Sequence, residues 1–188
     1  MVLGDLLARN VRKLPQKTAV VCIDSHVEFS FKELNERING LVNALFQMGM
    51  RKGERIAILE HNCHRHIEVF FAAAKSGMVI VPLNFRLTGK ELSFLLNDSE
   101  ARTLVVGEEF LETANSIRSD IKGLKNVVCI GKINPEIENY EGLISCYPHH
   151  EPKVNIGRNK PIEFLPSLWK YFSQSNTIFE SSQGGNFS

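Results

Sequence analysis

The densest set of side chains able to do chemistry is His61-Asn62-Cys63-His64-Arg65-His66, where imidazoles and a thiol crowd together. Those groups are zinc ligands. The run, however, joins the end of a strand to the first turn of a helix, where neighbouring side chains diverge. No second ligand group follows at a familiar spacing, so no metal site is expected. The plainer reading is a polar rim with Asn62 capping the helix. A second candidate is Asn84-Phe85-Arg86-Leu87-Thr88, at the carboxyl end of an apolar strand, where open α/β sheets bind ligands. Arg86 is the candidate cofactor-binding residue there, offered to an anionic group. The alternative is an ion pair from Arg86 to Glu91 or Glu100 that pins the loop. A third is Ser181-Ser182-Gln183-Gly184-Gly185, whose small residues suit phosphate, but which has no lysine and only Asn186-Phe187-Ser188 behind it. No nucleophile elbow and no G-x-G-x-x-G turn accompany any strand, and no catalytic residue is expected.

The elements that must position these groups follow from periodicity. Leu6, Leu7, Val11 and Leu14 predict a helix over Gly4–Lys13, stopped by Pro15. Thr18–Ile23 and the alternating Val27, Phe29 and Phe31 predict a hairpin around Asp24-Ser25-His26. Ser30-x-x-Glu33 and Thr88-x-x-Glu91 have the form of capping boxes. Behind the first, Leu34, Ile38, Leu41 and Leu45 make one buried stripe that ends near Gly49. Ile56–Leu59, Val79–Val81, Leu104–Val106 and Val127–Ile130 are short, unbroken apolar runs, the pattern of strands covered on both faces. Helices intervene: Ile67, Phe70, Phe71 and Ala74 in one, with Phe70-Phe71 read as core, Leu92, Leu95 and Leu96 in the next, and a weaker pattern from Glu108 to Ile121. Repeated β-α units predict an α/β fold with a doubly wound, mostly parallel sheet and flanking helices.

These segments, in order, resemble the N-terminal subdomain of the adenylate-forming enzymes, the acyl-CoA synthetase or carboxylate–CoA ligase type. The resemblance spans Gly4 to Pro152 and is carried by Pro15–Val20, Phe29–Asn35, Gly53–Ile58, the run Ala72–Asn84, Arg86-Leu87-Thr88 and Glu91-Leu92. It implies use of ATP and Mg2+ to activate a carboxylic acid as an acyl-adenylate, then transfer to coenzyme A, as in fatty acid metabolism. By the same resemblance Arg86 would meet coenzyme A or the remainder of the enzyme. Such an enzyme needs a Ser/Thr/Gly-rich phosphate loop ending in Pro-Lys-Gly just after Pro152. Gly157–Pro166 stands there instead, without that density of hydroxyls and glycines. No reaction residue of the family therefore carries over, and this chain alone is expected to be inactive.

Composition limits the other readings. In 188 residues, 43% are hydrophobic, enough for a real core, and 22 Lys+Arg against 21 Asp+Glu leave no basic surplus for nucleic acid. No secretory leader and no membrane-spanning window are evident, so a cytoplasmic location is expected, although a full-length form could carry a peroxisomal address. The widely spaced Cys22, Cys63, Cys129 and Cys146 are expected to be reduced, with Cys22 and Cys129 as small core residues. The expected organisation is a partial AMP-binding subdomain over 1–152 and a poorly ordered tail over 153–188, with Trp169, Tyr171 and Phe172 in a weak pattern. Exposed apolar surface would then invite a protein partner or a chaperone, which also frames the alternative of a non-catalytic interaction module.

Overall fold

The computed structural model describes residues 3–23, 25–131 and 137–154. The expectations for Gly157–Pro166, Trp169–Phe172 and Ser181–Gly185 lie outside them.

Helix α1 (Leu3–Lys13) is followed by an antiparallel hairpin, β1 (Thr18–Cys22) and β2 (Val27–Ser30). Helix α2 (Phe31–Gln47) starts at Ser30, whose hydroxyl accepts from the Glu33 amide while the Glu33 carboxylate accepts from the Ser30 amide, closing the predicted box. Then come β3 (Arg55–Leu59), α3 (His64–Ser76), β4 (Val79–Pro82), α4 (Gly89–Asp98) and β5 (Ala101–Gly107). Helix α3 ends on Gly77, whose φ of 73° is the left-handed conformation that a helix C-terminus favours for glycine. The chain continues through α5 (Leu111–Ile117), β6 (Asn126–Ile130), β7 (Glu138–Asn139) and α6 (Tyr140–Cys146). Short 3-10 turns at Glu108–Phe110 and Arg118–Asp120 flank α5, which is why the pattern from 108 to 121 reads weakly.

β4, β3, β5, β6 and β7 pair in that order, all parallel, with Ile56 opposite Ile80 and Thr103, and Leu104 opposite Val127. Successive strand residues point to opposite faces, so each strand feeds two cores. Ile56, Ile58, Ile80, Val105 and Val128 meet α1, α2, α3 and α6. Ala57, Leu59, Val81, Leu104 and Val106 meet α4 and α5. Two covered faces account for the unbroken apolar runs.

Beyond α6 the chain lies as a strap, Tyr147–Val154, across α2. Asn39 and Asn43 donate side-chain hydrogen bonds to the carbonyls of His149 (2.9 Å) and Pro148 (2.6 Å). Gly40 permits α6 and the strap to come this close, because a Cβ there would lie 2.6 Å from the Ile144 carbonyl oxygen and 3.1 Å from the His149 ring. Cys22 and Cys129 are buried as expected.

Candidate functional site

β3 connects outward to β4 and the chain then crosses back to β5, so the strand order reverses between β3 and β5. Open α/β sheets bind ligands at the carboxyl ends of strands flanking such a point. The mouth here is lined by Glu60, Glu108, Glu109 and Ile130 around a hollow of about 440 Å³. The Glu60 side chain fills the space above Gly107. Burial raises the Glu60 pKa above its ordinary value; the His61 amide opposes this, and the Glu109 charge adds to it. His61 Nε2 lies 2.5 Å from Glu109, and its ring leans on Phe85 (4.3 Å between centroids) and Phe110 (5.2 Å).

Arg86 joins this rim, its guanidinium 5.5 Å from the Phe85 ring centroid and its amide donating to Asn84 Oδ1 at 3.0 Å. The alternative ion pairs are not formed. Glu91 is spent on capping α4 through Thr88, and Glu100 pairs with Arg55. Arg86 is exposed.

The ligand-like run 61–66 comes apart into three environments. His61 faces the acidic mouth. His64 is 3% exposed, 3.5 Å from Ser25 Oγ and edge-on to Phe29. Among the described residues the Nδ1 of His66 has no hydrogen-bond partner, and His66 lines a groove elsewhere. Burial lowers the pKa of both His64 and His66 and raises that of the Cys63 thiol. No group of three metal-ligating side chains meets among the described residues. Two expectations need correction. Cys63, not Asn62, is the N-cap of α3, and it makes no side-chain capping bond. Nor is the run a uniform polar rim, because His64 is core.

The groove, of about 740 Å³, runs between α1, α3 and the outer side of β4, lined by Leu6, Phe31, Ile67, Phe70, Phe71 and Pro82 among others. Phe70 and Phe71 meet edge-to-face at 6.0 Å and are half-buried, which corrects their reading as plain core. Among the described residues no strand lies beyond β4 to cover them.

Sequence reasoning missed a polar clasp between α2, α3 and α6. The Glu68 side chain, 0% exposed, accepts from Arg37 Nε at 2.5 Å and from the Tyr140 hydroxyl at 2.8 Å. Arg37 and Arg65 both donate to Glu141, at 2.8 and 3.0 Å. Burial alone would depress Arg37, but Glu68 and then Glu141 outweigh it and raise its pKa. Burial would raise Glu141, but Arg37 and Arg65 hold its carboxyl below the usual range. The sequence signal was charge, Arg37, Arg65 and Glu68, among the apolar residues of α2 and α3.

Comparison with known proteins places this arrangement. Residues 7–156 match the family of AMP-binding enzymes. The crotonobetaine/carnitine–CoA ligase of Salmonella paratyphi B is 36% identical over 117 residues, covering 61% of this chain and 23% of that protein. The anthranilate CoA ligase AuaEII, solved with anthranoyl-AMP, superposes with a TM-score of 0.75 at 30% identity, covering 80% of this chain and 29% of that one. A Mycobacterium tuberculosis fatty acyl CoA synthetase gives 0.75 at 25% identity, covering 83% and 30%. The chain thus spans about a quarter of the curated relative it matches. With its matched residues running from α1 through the strap, the chain belongs to the AMP-binding enzyme family.

Proposed function

We propose that this chain is the N-terminal subdomain of a carboxylate–CoA ligase, whose complete form activates a carboxylic acid with ATP and then makes the thioester. The observation that carries this reading is the match over 7–156, supported by likeness to CoA ligases in both sequence and fold. ATP, Mg2+ and coenzyme A are what the family implies for the complete enzyme. The described residues do not fit a polyphosphate. The mouth at the strand ends presents Glu60, Glu108 and Glu109, which repel phosphate, and the Glu60 carboxylate fills the space over Gly107. Among the described residues near that mouth, Arg86 is the cation we assign to an anionic group of coenzyme A or of the remaining enzyme.

In this reading the 188-residue polypeptide does not adenylate an acid by itself, and carboxylate-dependent ATP–pyrophosphate exchange by the purified chain would overturn that. The family assignment is tested by joining residues 1–152 in frame to the remaining part of a crotonobetaine/carnitine–CoA ligase. Exchange activity in the folded chimera supports it; a soluble, folded chimera that is inactive with every acid tried counts against it. A second reading, a non-catalytic interaction module, draws on the apolar groove beside β4.

A further inference from the structure

The Lys75 side chain is 5% exposed, in the seam between α2 and α3, and burying an ammonium is costly without full hydrogen bonding and a counter-charge. It has three N–H groups to place. Asn35 Oδ1 accepts at 2.6 Å and Asn39 Oδ1 at 2.8 Å. What remains of its donor capacity faces Glu151, with Nζ 2.9 Å from Oε1 and 2.8 Å from Oε2. Asn35 Nδ2 donates to Oε1 as well, at 3.0 Å. Both carboxylate oxygens are therefore met by donors fixed on two helices, and Asn35 and Asn39 lie one turn apart on α2. Next in that row, Asn43 binds the backbone of the strap, at Pro148 and His150. The Glu151 side chain itself is 57% exposed, so the pocket opens to solvent on the side from which its occupant enters.

We propose that Lys75, Asn35 and Asn39 form a preorganised carboxylate-binding site, filled in cis by Glu151, whose occupation latches the strap Tyr147–Val154 onto α2. The site takes a carboxylate rather than a neutral amide because the buried ammonium demands a charge, and the two oxygens share the donors. The depressed pKa of Glu151 agrees: burial would raise it, but hydrogen bonds from Lys75 and Asn35 outweigh that.

The test is chemical rescue in the full 188-residue chain. Glu151→Gly empties the site and leaves room for acetate. Hydrogen exchange of the amides of residues 147–154 reports the latch, since local opening sets their exchange rates. The substitution should speed that exchange about tenfold, the scale of losing a charged hydrogen-bonded contact. Added acetate should slow it again and saturate, whereas acetamide and chloride at equal ionic strength should not. Lys75→Met combined with Glu151→Gly should abolish the acetate response. If that pair fails to fold, Asn35→Ala with Glu151→Gly replaces it and should weaken the response. Unchanged exchange in Glu151→Gly, no effect of acetate, an equal effect of chloride, or a response indifferent to the second substitution would each overturn the proposal.

Discussion

On one face of the parallel sheet, α4 and α5 bring Leu92, Leu95, Leu96, Ala114 and Ile117 against Leu104 and Val106. On the other, α2, α3 and α6 bring a larger apolar set, together with Glu68, Arg37, Tyr140 and Lys75. The first face needs only volume and apolarity, so many sequences satisfy it. The second needs particular partners, because each buried polar group is costly once its partner is gone. The polar face also carries the strap and flanks the open groove, and the apolar face carries neither.

The sharpest way to break this contrast is Glu68→Ala, which leaves the Tyr140 hydroxyl without its acceptor and Arg37 with Glu141 alone. We expect a loss of about 4 kcal/mol in urea unfolding, the scale for breaking a buried pair. Leu96→Ala on the apolar face should cost about 3 kcal/mol, for a fully buried leucine. If Glu68→Ala proves milder than Leu96→Ala, the polar face is not the more demanding one. Thr88→Ala removes the cap of α4 and should cost about 1 kcal/mol by the same measurement.

Acidity should separate the faces further. Burial holds the pKa of His64 and His66 below 6.5, so as the pH falls past 6.5 the unfolded chain takes up protons first and stability drops. Glu141 and Glu151 are held below 4.5, so their contribution is present above that value and is lost as the pH falls further through their folded pKa. Urea midpoints against pH should therefore fall in two stages. His66→Phe should flatten the first stage and leave the second, and an unchanged first stage would remove burial of His66 as its cause. The smallest effect belongs to the groove. Ile67→Asp, at a side chain already 37% exposed, should change stability by no more than about 0.5 kcal/mol while reducing binding of an apolar dye.

The apolar face and the sheet were legible in the sequence, because Leu92, Leu95 and Leu96 and the unbroken strand runs carry their own period. Helix α2 read correctly for the same reason. Helix α3 was legible as a helix but not in its buried face. Of the stripe Ile67, Phe70, Phe71 and Ala74, Ala74 is buried, and the rest of the buried face is His64, Glu68, Val69, Ala72, Ala73, Lys75 and Ser76. Polar residues in that row hide it from any count of hydrophobic periodicity. Helix α6 is a short element among acidic residues, and its cap, Asn139 to the Gly142 amide, was the available signal. The asparagines of α2 could be counted, but their acceptors lie more than a hundred positions away, as with Asn39 and His149. Of the candidate site, Arg86 was legible as a residue at a strand end, whereas the acidic lining of that mouth arises only when β3 and β5 are laid side by side.

The clasp also has a timetable. Glu68 and Arg37 are made early, but Tyr140 follows Glu68 by 72 positions and Glu141 follows Arg65 by 76. At roughly 5–20 residues per second on the ribosome, that separation is on the order of 4–15 seconds. Throughout that interval the nascent α2–α3 pair holds Arg37 and Glu68 without Tyr140 and Glu141, and Arg65 without Glu141. A chain growing at this pace completes its apolar face first and seals its charged one late.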